Sequence, residues 1–141
     1  MATEHQSTRI LLIEDHEPDV FLVQETLKTS GIACELTQVK DGEEARAYLW
    51  RVASADVAPD LIVLDLNVPK LEGLELLKII RGRPCLADVP VMVLTSSREP
   101  NDQDRAHRQG ANVYITKPMG FHEFVRVVGQ AVKQLLTARS S

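Results

Sequence analysis

The sequence predicts an α/β fold, a doubly wound five-stranded parallel sheet with helices on both faces. Three observations predict it. Short continuous apolar runs at residues 9–13, 61–64 and 91–94 read as strands covered on both sides. Segments of helical spacing separate them, so strand and helix alternate along the chain. The 141 residues suffice for one domain and are too few for two ordinary ones, and 44% apolar residues can fill a core.

Each element has its own signal. The first strand, residues 9–13, stops at Glu14 and Asp15. Pro18 suits a first helical turn, with Val20, Gln24 and Leu27 on one stripe and Gly31 as the stop. Residues 34–39 read as a weaker strand that carries polar residues, as a sheet edge does. Asp41-Gly42 opens a helix through Ala45, Leu49 and Val52. The third strand ends in Asp65, and Leu74, Leu77 and Ile80 mark the helix after it. The fourth strand ends in Thr95, Ser96 and Ser97. Residues 100–109 have helical propensity but only Ala106 is apolar, so this helix should pack loosely. Residues 112–116 form the other edge strand. Phe121, Phe124, Val125, Val128, Val132, Leu135 and Leu136 stripe the last helix. Residues 1–8 are expected to be a disordered segment, 9–137 the domain, and 138–141 a frayed tail. A sheet of this class commonly takes the flavodoxin-like order 2-1-3-4-5, with its ligand at the carboxyl ends of the strands.

Composition narrows the function. Sixteen Lys and Arg against 20 Asp and Glu give a net charge of −4, which argues against a nucleic-acid partner. No apolar run is long enough to span a membrane, and the first residues lack the apolar core of an export signal, so a cytoplasmic protein is expected. Two distant cysteines, Cys34 and Cys85, make neither a disulfide framework nor a zinc site. The four histidines show no metal spacing, and no glycine-rich phosphate loop is present. Trp50 and the Phe121, Phe124, Val128 stripe read as packing, and Arg105, Arg108 and Arg126 as solvated surface.

The informative pattern is what each strand ends in. In a parallel sheet these ends share one rim, so Glu14, Asp15, Asp65, Thr95, Ser96 and Lys117 should line one pocket. Taken singly, a strand-end Asp caps a helix and Thr95-Ser96 makes a turn. Together, three close carboxylates repel one another and call for a cation. Oxygen-only ligands with room for water and a phosphoryl oxygen favour Mg²⁺ over Ca²⁺. Lys117 and Thr95 can hold phosphoryl oxygens, and Asp65 can act as the nucleophile, forming an acyl phosphate.

These residues resemble the receiver domain of two-component response regulators over nearly the whole chain, from Arg9 to about Leu136. Glu14-Asp15 resembles the family's acidic pair, Asp65 its phosphoacceptor, Asp65-Leu66-Asn67-Val68-Pro69 with Gly73 the loop that follows, and Thr95-Ser96 the switch hydroxyl and its small neighbour. Ala106, Gly110-Ala111 and Tyr114 match the approach to the last strand, and Lys117-Pro118 the lysine with its cis proline, Pro118. Spacings of 30 residues from Asp65 to Thr95 and 22 from Thr95 to Lys117 fit the family. The resemblance implies that Asp15 and Asp65 bind Mg²⁺ through side chains, Asn67 through its carbonyl and Glu14 through water. It implies a sensor histidine kinase as phosphoryl donor and a change at the face built by the fourth helix, fifth strand and fifth helix. Thr95 and Tyr114 would carry that change. The chain would catalyse only its own phosphorylation and dephosphorylation.

Glu14-Asp15-His16-Glu17-Pro18-Asp19-Val20, the long stretch of residues 51–59 and the phrase from Gly110 to Pro118 are similar to the regulators that partner bacterial phytochromes. Those relatives are stand-alone receivers, often homodimers, so the implied partners are a phytochrome-type kinase, a downstream protein and a second copy. The signal would leave by protein contact or onward phosphotransfer. His16 replaces a more usual Asn or Asp, Gln103 and His107 stand where apolar residues are usual, and no aromatic pair precedes the C-terminus. Two other readings remain at this stage. A haloacid-dehalogenase-type phosphohydrolase also uses a strand-end Asp, but Asn67 stands where it wants a second one. A pseudo-receiver would bind partners without phosphate, against which the full set Asp15, Asp65, Thr95 and Lys117 argues.

Overall fold

The apolar runs lie side by side in the computed structural model, which describes residues 8–140, with side chains through residue 138. The strands are β1 (Thr8–Ile13), β2 (Cys34–Val39), β3 (Leu61–Leu64), β4 (Val91–Thr95) and β5 (Val113–Thr116). The helices are α1 (Glu17–Thr29), α2 (Gly42–Arg51), α3 (Gly73–Gly82), α4 (Asp102–Arg108) and α5 (Phe121–Ser140). All four pairings are parallel and the order is β2-β1-β3-β4-β5, as expected. Among the described residues no helix is long and apolar enough to cross a membrane.

Alternation along the central strands builds two cores. Ile10 and Leu12 of β1, Leu61 and Val63 of β3, and Met92 and Leu94 of β4 pack against Val20, Val23 and Leu27 of α1 and Phe124, Val128 and Val132 of α5. Leu11, Ile13, Ile62, Leu64, Val91 and Val93 face α2, α3 and the single buried side chain of α4, Ala106. Each such buried aliphatic side chain contributes about 1.5–3 kcal/mol. The edge strands β2 and β5 are only partly buried, as their polar residues indicate.

Register places the site. Ile13 pairs with Leu64, and Leu64 with Val93, so Glu14 and Asp65 leave the sheet side by side. Thr95 pairs with Thr116, so Lys117 emerges next to it. Backbone bonds carry this alignment one residue past the strands: Asp65 N–H to the Ile13 carbonyl at 3.0 Å and Lys117 N–H to the Thr95 carbonyl at 2.8 Å.

Several expectations shift. Thr8 already belongs to β1, and the rest of the expected disordered segment lies outside the described residues. In α1 the buried stripe is Val20, Val23, Thr26 and Leu27, with Gln24 exposed; the three-residue step from Val20 sets the phase. In α3 Leu76 joins Leu77 and Ile80 in the core while Leu74 is half-buried. Helix α5 runs past Leu136 to Ser140, since no Gly or Pro stops it, so the expected tail is helical there. Trp50 and Phe121 are exposed rather than core; the Arg83 guanidinium covers the Trp50 ring at 4.5 Å.

Two local devices hold the loops. Asp41 caps α2 by accepting from the Glu44 N–H at 2.7 Å, and Gly42 N–H donates to the Pro69 carbonyl, tying α2 to the loop after Asp65. Arg81, near the end of α3, donates to the carbonyls of Ala87, Val89 and Gly110 and to Asn112 Oδ1. Gly110 has φ +107°, and its Cα faces the Arg81 side chain so closely that a Cβ would meet it at 2.7 Å.

A Cβ at Gly42 would fall 2.2 Å from the Leu71 Cβ and 2.8 Å from its backbone. Gly42→Ala is therefore expected to destabilise the protein by more than about 2 kcal/mol, as overpacking against backbone does. Gly82→Ala, whose Cβ would meet nothing within 4 Å, should be neutral or stabilising by about 0.5–1 kcal/mol. Urea unfolding of both variants checks this; equal midpoints would refute the close approach of the loop to α2.

Candidate functional site

The carboxyl ends of the strands open into a cleft of about 470 Å³ lined by Glu14, Asp15, His16, Asp19, Asp65, Asn67, Ser96, Lys117, Pro118 and neighbours. Asp65 lies at its floor with 5% of its surface exposed. Its Oδ1 accepts from the Thr95 hydroxyl at 2.8 Å and the Asn67 N–H at 3.0 Å. Its Oδ2 accepts from Lys117 Nζ at 3.0 Å. Lys117 also donates to Glu14 Oε1 at 2.8 Å and to Asp19 Oδ2 at 2.7 Å. An ammonium has three N–H donors, and three carboxylates take them. Glu14 is further held by the His16 N–H at 3.1 Å, and His16 Nδ1 lies 2.9 Å from Asp19 Oδ2.

Electrostatics follow from this geometry. Burial pushes the Glu14 carboxyl up to about 7, against the pull of its bond to Lys117, and the charge of Asp65 adds to the rise. Burial works against the charge on Lys117, yet its bonds to Asp19 and Glu14 and the field of Asp65 outweigh it and raise the pKa. Burial would raise Asp19 too, but Lys117 and His16 together hold it below the usual carboxylate range. Lys117 therefore stays charged at neutral pH, and Glu14 is the group that shares a proton.

Thr95 is fully buried, and its oxygen accepts from the Ser97 N–H at 3.3 Å and the Asn67 amide at 3.4 Å. The Ser97 hydroxyl bonds Asp102, the first residue of α4, and meets the Tyr114 hydroxyl. Burial and the charge of Asp102 raise the Tyr114 pKa. A chain of polar contacts thus links Asp65 to the start of α4.

The predicted residues come together unevenly. Glu14, Asp65, Thr95 and Lys117 are in direct contact. Asp15, Asn67 and Ser96 line the cleft from exposed positions, and Tyr114 stands behind Ser97. Pro118 needs correction: no peptide bond among the described residues is cis, so the Lys117–Pro118 bond is trans. The cis form of such a bond differs from trans by only about 0.5–1 kcal/mol, so dipeptide identity does not decide it. Asp19 went unrecognised as a site residue. It lies in the first turn of α1, off the strand ends, so no strand-end pattern marked it.

Among the described residues no group of three His, Cys, Asp or Glu side chains is preformed to hold a metal. The physical reason is Lys117, whose ammonium already bridges Glu14 and Asp65. The donor set nonetheless fits a hard divalent cation. It offers carboxylate and carbonyl oxygens, and the ammonium marks where positive charge is already held.

A protein-family model described as the response regulator receiver domain matches residues 10–129. Response regulator Rcp1 of Synechocystis sp. is 40% identical over 121 residues, 84% of this chain and 82% of Rcp1. A structure of the Mn(2+)-bound form of Rcp1 superposes with a TM-score of 0.78 at 38% identity, covering 90% of this chain and 92% of that one. The phosphorylated cyanobacterial phytochrome response regulator RcpA gives a TM-score of 0.84 at 36% identity, covering 94% and 96%. The receiver domain of sensor histidine kinase PA1611 from Pseudomonas aeruginosa PAO1, with a magnesium ion coordinated in its active site cleft, gives 0.69 at 26% identity, covering 91% and 99%.

Glu14 ionises near 4.5 as an ordinary carboxyl and at about 7 in the fold. The folded protein therefore binds this proton more tightly than the unfolded chain. The stability it lends is complete below pH 4.5 and is lost as pH rises through 7. In magnesium-free buffer the wild type should lose stability between pH 5 and 8 by roughly 1–3 kcal/mol, and Glu14→Gln should lose much less. Urea midpoints across this range are the check; parallel slopes for the two proteins would show that Glu14 is not the group responsible.

Proposed function

The chain belongs to the response regulator receiver family, and on that premise we propose that Asp65 is its phosphoacceptor, charged by a phytochrome-type sensor histidine kinase in a magnesium-dependent reaction. Receiver domains act in two-component signalling, and the narrower partner rests on the likeness to Rcp1 and RcpA. The observation that carries the reading is the setting of Asp65. Its carboxylate lies at the floor of a cleft, one oxygen held by Thr95 and Asn67, the other by Lys117.

The chemistry follows from that setting. An Asp65 oxygen attacks the phosphorus of a phosphohistidine, the P–N bond breaks, and its electron pair leaves on the imidazole nitrogen. Lys117 moves a donor from Asp65 to a phosphoryl oxygen as charge grows there. Asp15, Asp65, the Asn67 carbonyl and, through water, Glu14 would hold a magnesium ion, which would supply charge neutralisation for the transferring group. Catalysis by the chain is confined to its own phosphorylation and dephosphorylation, and the work takes place in the cytoplasm.

The added group brings about −1.5 to −2 charges into the cleft. Thr95 then carries its hydroxyl from Asp65 toward a phosphoryl oxygen, and the displacement of the hydroxyl oxygen breaks the contacts in which it accepts from Ser97 and Asn67. Because Ser97 also holds Asp102 and Tyr114, the disturbance reaches α4 and β5. The signal leaves as altered protein contact at that face, or as onward phosphotransfer.

Acetyl phosphate with Mg²⁺ should add the mass of one phosphoryl group to the wild type and none to Asp65→Asn. Rapid release of inorganic phosphate from small phosphomonoesters, with no adduct, would instead support a hydrolase and overturn the reading. Lys117→Ala should bind Mg²⁺ at least as tightly as wild type, because the ammonium no longer bridges Glu14 and Asp65. Without the ion it should be less stable by roughly 3–5 kcal/mol, as for a broken buried pair, and Mg²⁺ should restore much of that. Thermal melts with and without Mg²⁺ decide this; a melt insensitive to Mg²⁺ would count against the cation site.

A further inference from the structure

We infer that Asp19 is a positioning residue that keeps the Lys117 ammonium in the cleft when a cation and a phosphoryl group claim its other partners. The inference rests on the phosphoacceptor reading above. It comes from the fates of three hydrogen bonds. Lys117 donates to Glu14, Asp19 and Asp65 at 2.8, 2.7 and 3.0 Å. Glu14 and Asp65 belong to the oxygen set that faces the cation, and Asp65 is also the group that changes on phosphorylation. Asp19 stands outside that set.

A divalent cation held by Glu14 and Asp65 would compete for their oxygens and repel the ammonium. With Glu14 and Asp65 as its only anchors, the long lysine side chain would regain its rotamer freedom and swing into solvent. Asp19 prevents that. It sits in the first turn of α1, where the helix dipole favours a carboxylate. Its backbone N–H is bonded to the His16 carbonyl at 3.0 Å, and its Oδ2 accepts from His16 as well as Lys117. Its side chain is 18% exposed, so water screens the contact with Lys117 little. Lys117 thus keeps one charged partner while its remaining donors reach a phosphoryl oxygen. Asp19 touches no reacting atom, so its action is wholly through Lys117.

The test uses the full chain with isotope-labelled lysine, comparing wild type, Asp19→Asn and Asp19→Ala. Nuclear magnetic resonance reads the Lys117 ammonium signal at saturating Mg²⁺, and titration reads the affinity for beryllium fluoride, a phosphoryl mimic. The wild type should keep a slowly exchanging Lys117 signal with Mg²⁺ bound, and both variants should lose it. Beryllium fluoride affinity should fall about tenfold, the equivalent of one hydrogen bond to a charged group, while Mg²⁺ affinity changes much less. A Lys117 signal that persists in both variants, or unchanged beryllium fluoride affinity, overturns the inference alone. A wild type that binds no beryllium fluoride at saturating Mg²⁺ overturns the phosphoacceptor reading and this inference with it.

Discussion

One ammonium group meeting three carboxylates organises the functional end of this molecule. Glu14, Asp19 and Asp65 come from the end of β1, the first turn of α1 and the end of β3, and Lys117 reaches them from the end of β5. Without the cation, carboxylates this close could not all remain ionised. With it, the three are held in one partly buried group, and burial pushes the Glu14 carboxyl up to about 7. The Lys117 ammonium thus fills the space between these carboxylates.

The sheet makes that meeting obligatory. Side chains at the ends of parallel strands converge only if neighbouring strands stop at the same level, and the pairings Ile13 with Leu64 and Thr95 with Thr116 ensure that they do. Two cores, one on each face, lock those pairings, because a slip of one residue would turn Leu11 and Leu12 to the wrong sides. Core packing and site geometry are in this sense a single constraint. A polar path then runs from Asp65 through Thr95 and Ser97 to Asp102, so the floor of the cleft and the start of α4 are not independent.

Much of this was legible in the sequence, for a physical reason. Strands buried on both faces must be continuous apolar runs, so their ends are sharp, and the residue after each end can be read directly. Glu14, Asp65, Thr95 and Lys117 were found that way. Asp19 was not, because its place depends on how α1 leans against the sheet rim, and no strand-end pattern encodes that. The exposure of Gln24 and the burial of Leu76 turn on helix phase, which two or three apolar residues define poorly. The trans bond before Pro118 depends on tertiary surroundings that weigh against a small intrinsic preference. Lys117 standing between Glu14 and Asp65, in place of an open metal cage, follows from distances that no spacing rule contains.

The Arg81 clamp has a mechanical consequence for α4. That helix of seven residues buries only Ala106, and its two ends are secured very differently. Beyond its C-terminal end, the Gly110 carbonyl is gripped by Arg81 Nε and Nη2 at 3.0 and 2.8 Å; Nη2 also bonds Asn112, and Nη1 holds the loop before β4. Its N-terminal end is held by the Ser97–Asp102 contact next to the cleft and by the Asp102 N–H bond to the Glu99 carbonyl at 3.1 Å. On release of the latch, a rod fastened so would swing about the fastened end rather than slide. Arg81 acts as the fulcrum, and the cleft holds the latch.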